Sequence, residues 1–402
     1  MVMQKNTTLV IFKKCVIIIN MDEEARNRRQ NLRVIISEII MFLTIVIMAI
    51  ILALLASGYW LSSGFKVERQ GMLQIHSQPT GADVEIDGET AWLQRTNTSK
   101  VLSSGNHHVV LTKEGYDSWE KTITISEGLL YRVNYPRLFL LNREKDIYYD
   151  ATNFTTASFS HNSNYLLLGD DTTSYTILRL NSDRPETTKL NLLDLKSTSP
   201  TIESSAMLFA DSTPIIEWDI NNNLIATIDK KHYKINWQNS EISLLSEPEK
   251  PEETLDLPGE IFRFYDETYS VLLNDNILNL YKKSQNDIEL ILTDELQFTP
   301  ETLKIGGSGG FVFMQTDTNV AVLDMEILQV INWTLDSPDY GWLGSSMLYS
   351  INDGTLIVYD FDGQNRRELS KDVTPNFPVA ITDNKWLYYF SDNNIVREVI
   401  LK

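Results

Sequence analysis

From Ile39 to Ala56 the chain carries no charge, and Thr44 is the only polar residue in those eighteen positions. The wider apolar stretch runs from Val34 to Leu61, with Glu38 near one end. At 1.5 Å of helix rise per residue, about 20 apolar residues cross a ~30 Å hydrocarbon layer. A helix apolar on every face has no solvent side, which argues against a core helix of a soluble domain. The segment is therefore predicted to be a single transmembrane helix over 34–61, with Tyr59 and Trp60 at the level of an interfacial aromatic belt. A cleaved signal peptide has a shorter apolar core, of roughly 7–15 residues, although Ala56-Ser57-Gly58 is a passable cleavage site.

Charge sets the expected direction. Arg26, Arg28, Arg29 and Arg33 precede the span, with Lys13 and Lys14 further back, whereas Lys66 and Arg69 follow it beside Glu68. The positive-inside rule then places residues 1–33 in the cytoplasm and everything after residue 61 outside. Met21 opens a polar head, Met-Asp-Glu-Glu-Ala-Arg-Asn-Arg-Arg, and is a natural start for the anchor. Cys15, the only cysteine, lies before it without a Leu-x-x-Cys lipoprotein context, so the ectodomain is expected to be stabilised without an internal disulfide. Residues 1–61 hold seven Lys and Arg and four Asp and Glu out of 35 and 54, leaving 28 against 50 beyond the span, a formal charge of −22. So acidic an ectodomain argues against a nucleic-acid partner, which requires clustered basic residues.

Period-2 alternation begins directly after the anchor. Leu73, Ile75 and Ser77 face one way and Met72, Gln74 and His76 the other; Val84 and Ile86 then alternate with Asp83 and Glu85. Asp87-Gly88 supplies a hairpin turn, because both residues tolerate positive φ. Ser104-Gly105-Asn106 precedes His108, Val110 and an alternating Leu111, and Lys113-Glu114-Gly115-Tyr116 turns into Trp119, Ile123 and Ile125. The pattern predicts one small antiparallel sheet of four or five strands over residues 70–135.

The run Gly71-x-Leu73-x-Ile75-x-Ser77-x-Pro79-x-Gly81-Ala82-x-Val84-x-Ile86-Asp87-Gly88 resembles a PEGA domain, and Leu102, Gly105, His107 or His108, Val110, Leu111 and Lys113-x-Gly115-Tyr116 extend the likeness. Thr80 stands in place of the name-giving glutamate, and Gln94-Arg95-Thr96-Asn97 replaces the usual Gly-x-Thr-Pro. The resemblance implies a β-sandwich-like module of bacterial and archaeal surface proteins, often next to an anchor and serving as a spacer or adhesion module. It implies no catalytic residues.

From residue 137 to 402 one hairpin recurs: an apolar strand, an Asp- or Asn-rich turn, a second apolar strand. The turns centre on Asp171, Lys230, Asp275, Asp317, Asp353 and Asn393, spaced 59, 45, 42, 36 and 40 residues apart. A repeat near 40 residues with about four strands per unit fits a β-propeller blade, so six blades are expected. The pattern resembles bacterial propellers of the WD-like class, with Ser160-His161-Asn162-Ser163-Asn164-Tyr165 a loose echo of their Ser-Pro-Asp-Gly-Lys-Tyr turn. After Ile395–Leu401 no residues remain for a fourth strand in the last blade, and an unfilled edge would be exposed. A segment within Leu138–Tyr149 is therefore predicted to close the ring against 395–401. Glu247–Glu253 and residues 181–205 read as exposed excursions.

No catalytic, cofactor or metal residue is expected. Gly306-Gly307-Ser308-Gly309-Gly310 fits Gly-x-Ser-x-Gly only formally: the histidines are at 76, 107, 108, 161 and 232, all before Ser308, and no helix is expected after it. His107 and His108 face opposite sides of one strand and cannot share a metal. Asp360-Phe361-Asp362-Gly363 opens like a calcium loop but lacks its later acidic ligands. Trp218, Trp237, Trp333, Trp342 and Trp386 are expected to pack between blades, with a sugar-stacking role open to one of them.

The chain thus reads as an all-β ectodomain, a PEGA sheet plus a six-bladed propeller, behind one N-terminal transmembrane helix. The leading expectation is a non-enzymatic, single-pass surface protein whose propeller binds an envelope polymer or a protein. Two alternatives are an enzyme acting on glycans or peptides at the propeller mouth, and a sensor whose Arg26–Arg33 segment contacts a cytoplasmic partner.

Overall fold

The computed structural model describes residues 35–53, 59–61, 67–170, 173–199, 202, 204–209, 214–219, 221–245, 257–284, 287–306 and 309–402. Cys15, Met21, the Arg26–Arg33 segment, Asp171, Ser308 and Glu247–Glu253 lie outside the described residues. Compactness divides the chain into two units. The first holds residues up to Leu73 with Lys100–Gly105 and Thr124–Leu130; the second holds Gln74–Ser99, Asn106–Ile123 and Tyr131–Lys402.

In the first unit the apolar helix spans Ile35–Ala53, exposed on all faces and long enough to cross a membrane. The 34–61 expected does not hold to its end. Tyr59–Leu61 is instead a strand paired antiparallel with residues 67–69, so Tyr59 and Trp60 are not in the helix. The strand Val67–Ile75 runs on from there, and the Met72 N–H donates to Leu129 O at 2.9 Å. Gly71 is obligatory in that strand: a Cβ would lie 2.5 Å from Ser126 O.

In the second unit the β-module forms its own sheet, in the order Glu89–Arg95, Asp83–Ile86, Gly105–Thr112, Trp119–Ile125. The alternation is as expected for Val84 and Ile86, both buried. In the strand Gly105–Thr112, however, the buried parity is His107, Val109 and Leu111, while His108 is exposed. That choice follows from register, since Val84 lies opposite Leu111 and Ile86 opposite Val109. The module as a whole is also larger than one sheet. A second four-stranded sheet combines Tyr59–Leu61, Val67–Ile75, Thr98–Ser103 and Leu130–Val133, where alternation suggested a single sheet.

The remainder of the second unit is a six-bladed propeller. Each blade is an antiparallel sheet whose strands follow chain order, within residues 156–191, 215–244, 260–295, 302–334, 340–370 and 380–399. The hairpins sit where the spacing placed them. Lys230, Asp275, Asp317, Asp353 and Asn393 all have positive φ, and Asp229, Gly354 and Asp392 pair with three of them as two-residue turns whose twist matches the strands. Apolar faces of consecutive blades interlock. Tyr388, Phe390 and Ile395 of the last blade pack with Leu166, Leu168 and Leu178 of the first, and Phe313 and Val322 of the fourth with Leu348 and Tyr359 of the fifth.

Residues 181–205 depart from the loop expectation. They contain the outer strand Glu186–Asn191 of the first blade and a strand, Lys196–Ser197, that adds in parallel to the edge of the second. The helix Ser205–Phe209 follows, with Phe209 fully buried. The outer strand was hidden by composition: Glu186 through Lys189 are all exposed, so it lacks an apolar period.

The ring closes as predicted. Lys145–Asp150 pairs antiparallel with Asn394–Val399 as the fourth strand of the last blade, with Ile395 opposite Tyr149 and Arg397 opposite Asp146. Arg397 grips Asp146 through two nitrogens at 3.1 and 2.8 Å. Arg143 meets the buried Glu398 at 2.5 Å, and the Tyr148 hydroxyl donates to Arg179 O at 2.9 Å while its ring packs 5.2 Å from Tyr388. Tyr148→Ala should therefore destabilise the protein by about 3–5 kcal/mol, the range for deleting a buried aromatic. Equilibrium denaturation checks this, and a loss below about 1 kcal/mol would show that the closing strand carries little of the fold.

Candidate functional site

In a propeller the first strand of each blade lines the central channel, and loops from several blades meet at its mouth. Here five such strands or their flanking turns enclose a cavity of about 750 Å³, within the ~300–1,000 Å³ usual for small-ligand sites. Its wall draws on residues 157–163 of the first blade, 216–218 of the second, 304–306 of the fourth, Trp342 and Tyr349 of the fifth and 378–381 of the sixth.

Two indoles are fixed in that wall. Trp218 donates its Nε1–H to Ser158 O at 3.1 Å and stacks on Tyr165, with centroids 6.3 Å apart and planes 23° from parallel. Trp342 sits edge-to-face with Phe313, centroids 3.6 Å apart. Lys304 extends over Trp342, its Nζ 5.7 Å from the ring centroid. The side chain reaches solvent, yet the surrounding walls strip part of its hydration and lower its pKa from the ordinary lysine value. Its ammonium makes no ion pair or hydrogen bond among the described residues. Tyr349 is buried, and its hydroxyl accepts the Val379 N–H at 3.1 Å; burial raises its pKa to about 12. Glu217 and His161 complete the titratable lining.

The tryptophans divide between two roles. Trp237 and Trp333 pack between blades as expected, Trp237 against Tyr165 of the first blade and Trp333 against Tyr359 of the fifth, their indoles donating to Asn222 O and Phe361 O at 3.0 Å each. Trp386 lies under Arg397, 4.4 Å from its centroid. Trp218 and Trp342 reach the mouth. Nothing in the sequence separated these two from the others, and nothing marked Lys304 or Glu217.

The remaining motifs resolve into structural roles. The residues after the Gly-rich run form the strand Phe311–Thr316, so no strand-to-helix elbow follows it. His107 and His108 do face opposite ways: the His107 Nδ1 lies 2.6 Å from Asp87, whereas His108 is exposed. No group of three or more His, Cys, Asp or Glu suited to a metal occurs among the described residues.

The Asp360–Gly363 turn already holds a cation of the protein itself. Lys121 Nζ lies 2.6 Å from Asp362, both side chains buried, and donates to the Tyr135 hydroxyl at 2.9 Å. The Trp119 indole and the Asn365 amide donate to the same Asp360 oxygen, at 2.6 and 2.9 Å. Arg367 pairs with Asp117 at 2.8 Å and donates to the Ser118 and Arg137 carbonyls. This buried polar cluster joins the strand Trp119–Ile125 to the fifth blade. Burial raises the Asp360 pKa to about 7 against the pull of Arg367, and burial likewise raises Asp324 to about 6.

Two consequences can be measured. Lys121→Met leaves Asp362 buried without its cation and should cost about 3–5 kcal/mol, read by equilibrium denaturation; Lys121→Met with Asp362→Leu should recover much of it. For Asp360 the folded pKa lies above the unfolded value of 3.8, so the folded chain holds a proton that the unfolded chain releases. Its contribution to stability is largest below the unfolded pKa and declines as pH rises towards about 7. Melting temperatures across that window should fall less steeply in Asp360→Asn than in the parent.

Residues 70–137 match the PEGA domain model, which coincides with the β-module and bears out the resemblance carried by its residues. No curated protein matches the chain in sequence. Among solved structures, the chain is similar to a streptogramin B lyase at 9% identity, TM-score 0.36, covering 65% of this chain and 98% of that one. It is also similar to a gluconolactonase from Xanthomonas campestris at 11% identity, TM-score 0.35, covering 65% and 91%.

Proposed function

We propose that this chain is a membrane-anchored, extracytoplasmic binding protein of the bacterial cell surface, with its ligand site at the mouth of the propeller channel. The helix Ile35–Ala53 serves as an uncleaved single-pass anchor, and the excess of arginine before it keeps the N-terminus in the cytoplasm. The PEGA domain and the propeller then face the envelope. One observation carries the binding reading: a cavity framed by five blades whose side chains include two immobilised indoles and few charges. Rigid aromatic walls bind with little ordering cost. An enzymatic reading would have to start from His161 and Glu217, the titratable pair on that wall besides Lys304 and Tyr349.

The test uses the full chain in lipid nanodiscs and isolated cell-wall sacculi as the bait. The parent should be retained on the sacculi, and Trp218→Ala with Trp342→Ala should reduce retention at least about tenfold, roughly 1.4 kcal/mol, while the thermal transition stays cooperative. Retention unchanged in the folded double variant would move the site away from the mouth, and no retention of the parent would sink the surface-binding reading.

A further inference from the structure

The charges of the mouth go beyond the presence of a binding site and narrow what it accepts; the inference rests on the reading just given. In a chain of net charge −19, Lys304 is the only lysine or arginine among the residues lining the cavity. It is held over the Trp342 ring and left without an anionic partner among the described residues. A partly desolvated ammonium is costly to keep unpaired and gains most from an anion that enters the cavity.

Glu217 lines the same cavity from a different blade. Lys304 belongs to the fourth blade and Glu217 to the second, with a whole blade between them, and no ion pair links them. One side of the cavity thus favours negative charge and the other offers a carboxylate, which accepts hydrogen bonds and repels a second anion. Trp218 follows Glu217 in the strand Ile215–Trp218, so the two side chains leave it on opposite faces, and one face of the Trp218 indole is stacked on Tyr165. The second and fifth blades are three apart in a ring of six, so Trp218 and Trp342 line the cavity from opposite blades.

We infer that the mouth binds an acidic saccharide: one sugar ring on the Trp218 indole, hydroxyls of a neighbouring ring donating to Glu217, and a carboxylate of the chain on Lys304. A uronic-acid oligosaccharide meets all three demands within one cavity. A neutral glycan leaves Lys304 unpaired, and an acidic peptide brings charge but no pair of hydroxyls for Glu217.

The experiment titrates full-length protein in nanodiscs with three probes followed by calorimetry: an oligogalacturonate, a neutral galacto-oligosaccharide of equal length, and an oligoglutamate peptide. The oligogalacturonate should bind tightest, and its affinity should weaken with added salt. Lys304→Met should lower that affinity at least about tenfold, Lys304→Arg should restore most of it, and Glu217→Ala should weaken it without changing the salt dependence. Raising the pH should weaken binding before an ordinary lysine would titrate, because the Lys304 pKa is lowered. Oligogalacturonate binding that is absent, matched by either other probe, or indifferent to Lys304→Met overturns the inference. Sacculus retention lost in the tryptophan double variant would still uphold the mouth as the site, so the two failures are distinguishable.

Discussion

The propeller depends on a strand that comes from the wrong end of the chain. Lys145–Asp150 precedes all the blades in sequence yet completes the last one, pairing with Asn394–Val399. Without it the sixth sheet would present an open edge, and the apolar contact between the last and first blades would lose Tyr148. The polar grip is equally specific: Arg397 on Asp146, and Arg143 with the Tyr389 hydroxyl on the buried Glu398. A channel of fixed width exists only because that circle is shut. The mouth cavity, built from five blades, is therefore a consequence of closure rather than of any one blade.

Closure also explains how the PEGA sheet is held. Only a short segment separates Val133 from the closing strand, and its Leu138 and Phe139 are buried. With that segment tied down, the strand Trp119–Ile125 can meet the fifth blade through the Trp119–Asp360 hydrogen bond and the Lys121–Asp362 pair. Buried ion pairs add little net stability compared with apolar packing, but breaking one is costly, so such a contact specifies a register more than it strengthens it. The sequence reading of the module as a spacer between anchor and propeller is sharpened accordingly: the Gln74–Ser99 and Asn106–Ile123 parts of the PEGA domain form one compact unit with the propeller.

What could be read in advance follows a physical line. Local chemistry was legible: the uncharged span, the two-residue periods of the PEGA strands, and the Asp and Asn residues whose tolerance of positive φ marks each hairpin. Closure was legible too, because counting strands left the last blade one short. Long-range pairing was not. Lys121 occupies an apolar slot between Trp119 and Ile123, a visible break in the period, but its partner Asp362 lies far along the chain. Asp360 and Asp362 accordingly resembled a calcium loop when seen alone. Lys304, in the strand Thr302–Ile305, has neighbours that give no sign of which side of a blade's first strand meets the channel. The strand Glu186–Asn191 was concealed because it buries only Leu190.

Hydrogen exchange on the full-length protein tests the central claim, a closed six-bladed ring, most directly. Amides of residues 145–150 should be protected to the same degree as those of Asn394–Val399 and of the buried strand Tyr165–Gly169, opening only with the whole propeller. Rapid exchange over 145–150, with the other two strands still protected, would mean that the last blade lacks its fourth strand, and the account of the channel would fail with it.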